Sequence, residues 1–210
     1  MRWWLGTLAV LVVCFVTIGM ATTYAEVPRS DDGYGAVVGS AGAPVQLEIF
    51  CEPQCPHCAQ FESSYGQQIA GYLASGRLAV TYRWLTFLDD KHHNDASAQI
   101  SNALLLAADP ATPAAAYQAF VQDLYSHQSP DGPDNNDIAE MARQSGVPEP
   151  VATRIAAGDP GVDAAAMDNV NTALLKGENP QGRTTPTVYH LNAKNVVDLQ
   201  DPDWLDKLVG

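Results

Sequence analysis

Four consecutive residues of the 210-residue chain, Cys55, Pro56, His57 and Cys58, combine side chains suited to redox chemistry. Two cysteines three positions apart at the start of a helix can close a small disulfide ring with little rearrangement. The first thiol is expected to ionise readily, because unpaired N–H groups and the helix dipole stabilise a thiolate. The His57 imidazole can add positive charge beside it. These residues predict thiol–disulfide exchange, and all four are candidate catalytic residues.

The segments around the cysteines predict that they lie between a strand and a helix. Residues Val45 to Cys51 are apolar at alternate positions with Phe50 added, which predicts a buried strand. Ala59 to Ser75 predicts a helix that ends at Gly76, and Leu78 to Phe87 predicts the next strand. A strand–helix–strand unit with a crossover of this length indicates a parallel pair. This context favours a redox pair over a zinc knuckle, which uses the same cysteine spacing.

The middle of the chain, residues 94 to 177, is rich in alanine and apolar at helical spacing, which predicts an inserted subdomain of four or five helices. Asp137 with Glu140 has the pattern of a capping box, and Asp159-Pro160 that of a cap followed by a first-turn proline. The apolar stripes are expected to form its core. The two clearest consist of Tyr117, Phe120, Val121 and Leu124, and of Val162, Ala166, Val170 and Leu174.

After Gly182 the pattern returns to strands. Thr187 to Leu191 predicts a strand, Asn192 to Asn195 a turn, and Val196-Val197 a short partner strand. A final helix is predicted over Asp203 to Val209. The predicted fold class is therefore α/β, with a mixed sheet and an inserted Ala-rich helical subdomain.

A proline directly before this strand is the second feature with a chemical implication. Taken alone, Pro186 is consistent with a trans proline at the start of a strand. In the thioredoxin fold, a cis proline at this place packs beside the cysteine pair and exposes the backbone of the preceding residue, here Thr185. An incoming peptide can then pair with that backbone as an added strand. Thr185 and Pro186 are therefore candidate substrate-binding residues.

These motifs carry a resemblance to a known family. The run Val45 to Phe61 resembles the first strand and active-site helix of DsbA-like proteins of the thioredoxin superfamily. Thr185-Pro186-Thr187 is similar to that family's cis-proline loop, and the Ala-rich helices resemble its inserted helical domain. The resemblance covers nearly everything from Pro44 onward. The layout looks most like that of membrane-anchored actinobacterial members.

The resemblance implies a thioredoxin-like enzyme that forms, reduces or isomerises disulfides in exported proteins, with a redox-active disulfide and no other cofactor. It implies that Cys55 is the attacking cysteine and Cys58 the buried resolving one. Thr185 and Pro186 would hold the substrate and exclude metal from the thiols. The implied partners are unfolded or reduced exported proteins and a membrane redox protein that reoxidises the cysteine pair.

The chain departs from the family pattern at the position of a buried acid. Many relatives have an acid six residues before the first cysteine, where this chain has Ile49. Glu48 is expected to point to the opposite face of the sheet, because side chains alternate along a strand. The proton acceptor for Cys58 therefore stays open between Glu52, water and no acceptor.

An extra thiol, Cys51, allows other interpretations. It can be a small buried residue, a third redox thiol or a metal ligand. Thioredoxin-fold copper carriers use C-x3-C with a remote histidine, so Cys51, Cys55 and His190 form an alternative Cu(I) site. Together with Cys58 the spacing also matches radical-SAM iron–sulfur enzymes, but an exported, oxidising environment and the short chain argue against that reading.

The first 25 residues predict a membrane anchor or a signal peptide. After Arg2, an uncharged apolar run from Trp3 to Ala21 would span about 28 Å as a helix, close to the thickness of a bilayer. Thr23 and Ala25 are small residues that suit a cleavage site instead. Either way, residues 26–43, predicted as a linker, and the domain of residues 44–210 are expected outside the cytoplasm. The net charge of −13 argues against binding to nucleic acid.

Overall fold

The computed structural model describes residues 26–182 and 184–210, and in them a mixed five-stranded sheet is covered by helices. The strands are β1 (Gly35–Gly39), β2 (Val45–Cys51), β3 (Leu78–Trp84), β4 (Thr187–His190) and β5 (Asn195–Val196). The helices are α1 (Pro56–Ala74), α2 (Leu88–His92), α3 (Ala96–Ala107), α4 (Ala114–Ser126), α5 (Asn135–Gln144), α6 (Glu149–Ala156), α7 (Ala164–Glu178) and α8 (Trp204–Val209).

None of the helices in this part of the chain is long and apolar enough to cross a membrane. The predicted anchor or signal peptide, residues 1–25, lies outside the described residues.

The order of the strands across the sheet is β1-β3-β2-β4-β5. β2 and β3 are parallel, as the sequence predicts, and the other three neighbouring pairs are antiparallel. The predicted fold class, a thioredoxin-like mixed sheet with helical cover, is confirmed. β2 is the central strand, so the turn that follows its carboxyl end, and α1 after it, begin at the middle of the sheet edge.

The prediction of a linker over residues 26–43 is wrong, because this segment contains β1. The strand pairs antiparallel to β3, from Gly35 opposite Arg83 to Gly39 opposite Ala79. Its short GAVVG sequence is buried on both faces, so it lacks the alternation that identifies a half-exposed strand. A side chain on Gly39 would come within 2.7 Å of the Leu78 carbonyl oxygen, which explains why a residue typical of loops occurs in this strand.

The two faces of the sheet have different surroundings. Leu47, Ile49 and Cys51 of β2 belong to the main core, which the sheet shares with α1 and the helical subdomain. Phe50 points the other way and packs with Leu85 and Leu175 under α7.

Glu48 shares this second face of the sheet. Its buried carboxylate pairs with Arg83, whose guanidinium also contacts Asp32 at 2.7 Å. Glu48 therefore points away from the cysteines, as expected from strand alternation.

The helical subdomain consists of α3 to α7, and two of its helices begin at other residues than the sequence predicts. Asp134, rather than Asp137, caps α5 and accepts hydrogen bonds from the N–H groups of Asn136 and Asp137. Asp163, rather than Asp159, caps α7. The later start of α7 has a tertiary cause. The Asn102 side chain accepts hydrogen bonds from the backbone N–H groups of Gly161 and Val162 and holds this segment outside the helix.

Helix α1 carries a buried carboxyl group, Glu62, between the sheet and α4. Its Oε1 lies 3.2 Å from the Tyr82 hydroxyl and its Oε2 accepts a hydrogen bond from Gln118 Nε2 at 3.1 Å, while Tyr82 donates to Gln118 Oε1 at 2.7 Å. A protonated Glu62 can donate to the Tyr82 oxygen and so close a ring of three hydrogen bonds without a buried charge. Burial accordingly raises the pKa of Glu62 to about 7.

We predict that Glu62→Gln reduces the pH dependence of stability. The pKa of Glu62 is about 7 in the folded state against 4.5 ordinarily, so the unfolded chain releases this proton first. The free energy of unfolding therefore falls as pH rises through this window, by roughly 3 kcal/mol from this group. Glutamine cannot ionise, so urea denaturation at about pH 5 and pH 8 should show a smaller difference in the variant. Glu140→Gln, at an exposed position, is the control. If the free energy of unfolding differs equally between the two pH values in both variants, the assignment to Glu62 is contradicted.

Candidate active site

The first cysteine of the pair lies at the amino end of α1. After β2 ends at Cys51, a turn closed by the hydrogen bond from Cys55 N–H to the Glu52 carbonyl oxygen (3.0 Å) leads into the helix. Cys55 is the N-cap residue in an extended conformation, and Pro56 occupies the first turn, where its missing N–H costs nothing. Cys58 N–H donates to the Cys55 carbonyl oxygen at 3.0 Å.

The four residues of this first turn differ in their exposure to solvent. Pro56 and His57 are exposed, Cys55 keeps 7% of its surface, and Cys58 has none. Cys55 is therefore the cysteine of the pair that a second molecule can reach.

The second predicted motif lies directly beside the first. The Thr185–Pro186 peptide bond is cis, as the sequence predicts, and the Thr185 carbonyl oxygen lies 3.6 Å from Cys55 Sγ. Thr187 Oγ1 donates to the Thr184 carbonyl oxygen at 2.8 Å and accepts from Asn179 Nδ2 at 3.3 Å, which fixes the loop to the end of α7. The structure thus brings together all six residues proposed from the sequence: Cys55, Pro56, His57, Cys58, Thr185 and Pro186.

A groove of about 820 Å³ runs past this meeting point. One wall is the exposed side of α1 from His57 to Tyr65, and the other consists of residues 184–188 and 196–200. Phe61 and Tyr65 form an apolar part of the wall and pack on Trp204 of α8, with ring centroids 6.2 and 5.4 Å away. The groove is open to solvent.

The two thiols of the pair affect each other's protonation. Contact with the Cys58 thiol and burial raise the pKa of Cys55, whereas the Thr185 side chain and the Cys58 backbone N–H oppose this shift. The expected lowering of the Cys55 pKa at the helix terminus is therefore outweighed in this fully reduced geometry. Two thiols in hydrogen-bonding contact lose their protons in separate steps, and the second proton is the harder to remove.

The buried thiol of Cys58 has sulfur neighbours on both sides. Burial is the largest cause that raises the pKa of Cys58, and contact with Cys51 adds to it, while contact with Cys55 and the Glu52 backbone N–H lower it. Cys51 is fully buried and unpaired. Residues 26–210, apart from the undescribed Arg183, therefore contain three free thiols, which follow one another from the groove into the core in the order Cys55, Cys58, Cys51.

Glu52, left open as a proton acceptor, is buried against the helical subdomain. Its carboxylate accepts hydrogen bonds from the Gln54 N–H (2.7 Å) and from Ser97 Oγ. Burial raises the pKa of Glu52 to about 7, and the charges of Asp89 and Cys55 contribute to the shift. A carboxyl group that titrates near neutral pH therefore lies close enough to Cys55 to interact with its charge.

Sequence reasoning missed the side chains that hold the active-site turn. Gln128 Nε2 donates to the carbonyl oxygens of Pro53 (2.7 Å) and Cys55 (3.1 Å), and the Tyr125 hydroxyl donates to that of Glu52 at 3.3 Å. No local pattern marks these residues, because they act from the helical subdomain on backbone groups more than 70 positions earlier in the chain.

The alternative copper site does not form. Antiparallel pairing places His190 opposite Leu47, four residues before Cys51 on β2 and thus roughly 13 Å along the strand. Cys51, Cys55 and His190 therefore do not converge. Among the described residues no group of three or more histidine, cysteine, aspartate or glutamate side chains is arranged to hold a metal ion.

We predict that Gln128→Ala destabilises the active-site turn. The substitution removes the side-chain donor of the Pro53 carbonyl and one of the donors of the Cys55 carbonyl, which should lower the free energy of unfolding by about 1–2 kcal/mol. Gln144→Ala is the matched control, because the exposed Gln144 contacts only the exposed side chain of Glu140 through its amide. Urea denaturation of both variants makes the comparison, and an equal loss at the two positions would show that Gln128 has no special role.

Known proteins share this fold. The family model described as "Thioredoxin" matches residues 31–210. Among solved structures, MdbA, a thiol-disulfide oxidoreductase from Corynebacterium diphtheriae, superposes with a TM-score of 0.73 at 20% identity, over 88% of this chain and 94% of that chain. Reduced DsbA from Mycobacterium tuberculosis gives a TM-score of 0.63 at 22% identity, over 89% of this chain and 93% of that chain. These likenesses show a shared fold.

A curated relative is more similar in sequence but much longer. The serine/threonine-protein kinase PknE of Mycobacterium tuberculosis is 34% identical over 183 residues, which cover 84% of this chain and 31% of the kinase. The chain thus spans about a third of the length of the curated relatives it matches. Because the family model covers residues 31–210, the chain belongs to the thioredoxin family.

Proposed function

We propose that this protein is a thiol–disulfide oxidoreductase that exchanges disulfides with exported polypeptides through Cys55 and Cys58. The observation that carries the proposal is the position of Cys55 at a helix terminus, with its sulfur 3.6 Å from the Thr185 carbonyl oxygen beside an open groove. Of the described cysteines, Cys55 alone retains exposed surface. The activity named for MdbA from Corynebacterium diphtheriae, which has the same fold, supports the proposal.

The exposure of the two sulfurs supports the proposed order in which they react. In the oxidising direction, a substrate thiolate attacks Cys55 Sγ in the Cys55–Cys58 disulfide, a mixed disulfide forms, and Cys58 leaves as a thiolate. A second substrate thiolate then attacks the substrate sulfur and displaces Cys55. In the reducing direction Cys55 attacks and Cys58 resolves. The buried Cys58 cannot meet a substrate first.

Two groups around Cys55 support its ionised form when it leaves or attacks. The Cys58 backbone N–H and the Thr185 side chain both lower its pKa against the effects of Cys58 and burial. The Glu52 carboxyl, whose pKa is about 7, suits proton exchange with this site near neutral pH. His57 and Pro56 present the exposed rim of the first helical turn to the substrate.

Net oxidation is the proposed direction. The pKa of Cys55 is raised, so a stabilised Cys55 thiolate is not the reason for proposing net oxidation. The proposed direction is based instead on the oxidising environment that exported proteins meet. A membrane redox partner would then reoxidise the cysteine pair.

The proposed location follows from the apolar run Trp3 to Ala21. We place the protein in the cell membrane, with its N-terminus in the cytoplasm and the domain outside. Cleavage near Ala25 would instead release the domain as a secreted protein.

We predict opposite behaviour for the two cysteines. Cys58→Ser should accumulate mixed disulfides through Cys55, because the resolving thiol is gone, whereas Cys55→Ser should oxidise a reduced unfolded protein no faster than the uncatalysed reaction. His190→Ala, remote from the site, should keep the parent rate. A Cys55→Ser variant that works at the parent rate would refute the assignment.

Run in intact cells, the Cys58→Ser trap also tests the location. The captured partners should carry export signals. Capture of cytoplasmic proteins alone would contradict an extracytoplasmic domain.

A further inference from the structure

The third cysteine lies directly beneath the active-site pair. Cys51 ends β2, and the turn closed between Cys55 N–H and the Glu52 carbonyl folds the start of α1 back over the end of the strand. The Cys58 sulfur consequently faces the backbone N–H of Glu52, the residue after Cys51, and contacts both the Cys51 and the Cys55 thiols. Cys58 is therefore the middle member of a series of three sulfurs.

The series runs from the groove into the protein interior. Cys55 contacts the Thr185 carbonyl at the groove, whereas Cys58 and Cys51 are both fully buried and belong to the main core. A polypeptide substrate cannot approach Cys51 directly. A thiol in contact with one sulfur of a disulfide can nevertheless exchange with it, since exchange requires only access and a thiolate.

We propose that Cys51 is a third redox-active cysteine, which exchanges with the Cys55–Cys58 disulfide to form a buried Cys51–Cys58 disulfide. The Cys51 thiolate attacks Cys58 Sγ, the Cys51–Cys58 bond forms and the Cys55–Cys58 bond breaks. Cys55 leaves with the bonding electron pair as a thiolate. One proton is lost at Cys51 and one is gained at Cys55, so the step needs no external oxidant or reductant.

This step, which rests on the proposed function, extends the range of substrates. With the Cys55–Cys58 disulfide the protein oxidises a dithiol. With the Cys51–Cys58 disulfide the oxidised protein presents a free Cys55 at the groove, where it can attack a disulfide in a substrate. A second substrate thiol then displaces Cys55, so incorrectly paired substrate disulfides are rearranged without net oxidation.

The position of the remaining thiol in the oxidised protein tests the inference. The full chain in detergent, with Cys14→Ser so that three cysteines remain, is oxidised with diamide, trapped at acidic pH where exchange stops, and labelled with N-ethylmaleimide under denaturing conditions. Peptide mapping should find the label on Cys55 as well as on Cys51. Label on Cys51 alone would overturn the inference, and this readout requires no substitution in the series itself.

A variant isolates the buried disulfide. In the same background, Cys55→Ser should lose two thiols on oxidation and yield a linked Cys51–Cys58 peptide. The control Cys51→Ala/Cys55→Ser should lose none. A Cys55→Ser variant that keeps both thiols, under conditions that oxidise the parent pair completely, would count against the inference.

The two proposals fail in different ways. If the parent oxidises a reduced peptide but its remaining thiol is always Cys51, the proposed function stands and this inference fails. If the label reaches Cys55 but the parent exchanges with no thiol or disulfide substrate, the proposed function fails.

Discussion

The turn between β2 and α1 has to satisfy its backbone carbonyl groups while it presents a cysteine to solvent, and the rest of the site depends on how it does so. The carbonyl of Glu52 accepts from Cys55 N–H and the Tyr125 hydroxyl, and those of Pro53 and Cys55 accept from Gln128. Two of these donors come from the helical subdomain. The inserted helices are therefore a structural part of the candidate active site, because they hold the turn in which Cys55 lies.

Burial then divides the roles among chemically identical groups. Cys55, Cys58 and Cys51 differ mainly in depth, and the depth determines which of them can meet another molecule. The same core contains two carboxyl groups, Glu52 and Glu62, whose pKa burial raises to about 7. The Glu48–Arg83 ion pair, in contrast, lies on the opposite face of the sheet. The cysteines thus lie on the same side of the sheet as two carboxyl groups whose pKa is raised by burial, and on the opposite side from this ion pair.

Local sequence patterns were sufficient to predict the elements that surround the candidate active site. The strand–turn–helix around Cys55 and the position of Pro186 follow from short-range periodicity and from proline placement. β1 escaped detection because a short glycine-rich strand buried on both faces has no alternation. The start of α7 depends on Asn102, which is about 60 residues away along the chain.

The remaining differences also arise from contacts that a single sequence does not display. The role of Gln128 depends on tertiary contacts, the exclusion of His190 depends on strand register, and the raised pKa of Cys55 depends on its contact with Cys58. What a local pattern cannot supply, in each case, is the identity of the neighbour across the fold.

The most direct test of the central claim is a crystal structure of the Cys58→Ser chain disulfide-linked to a cysteine-containing peptide. We expect a bond between the peptide sulfur and Cys55 Sγ, with the peptide backbone extended along Thr185 in the groove between α1 and residues 196–200. A peptide bound through Cys51, or one linked to Cys55 that lies outside this groove, would contradict it.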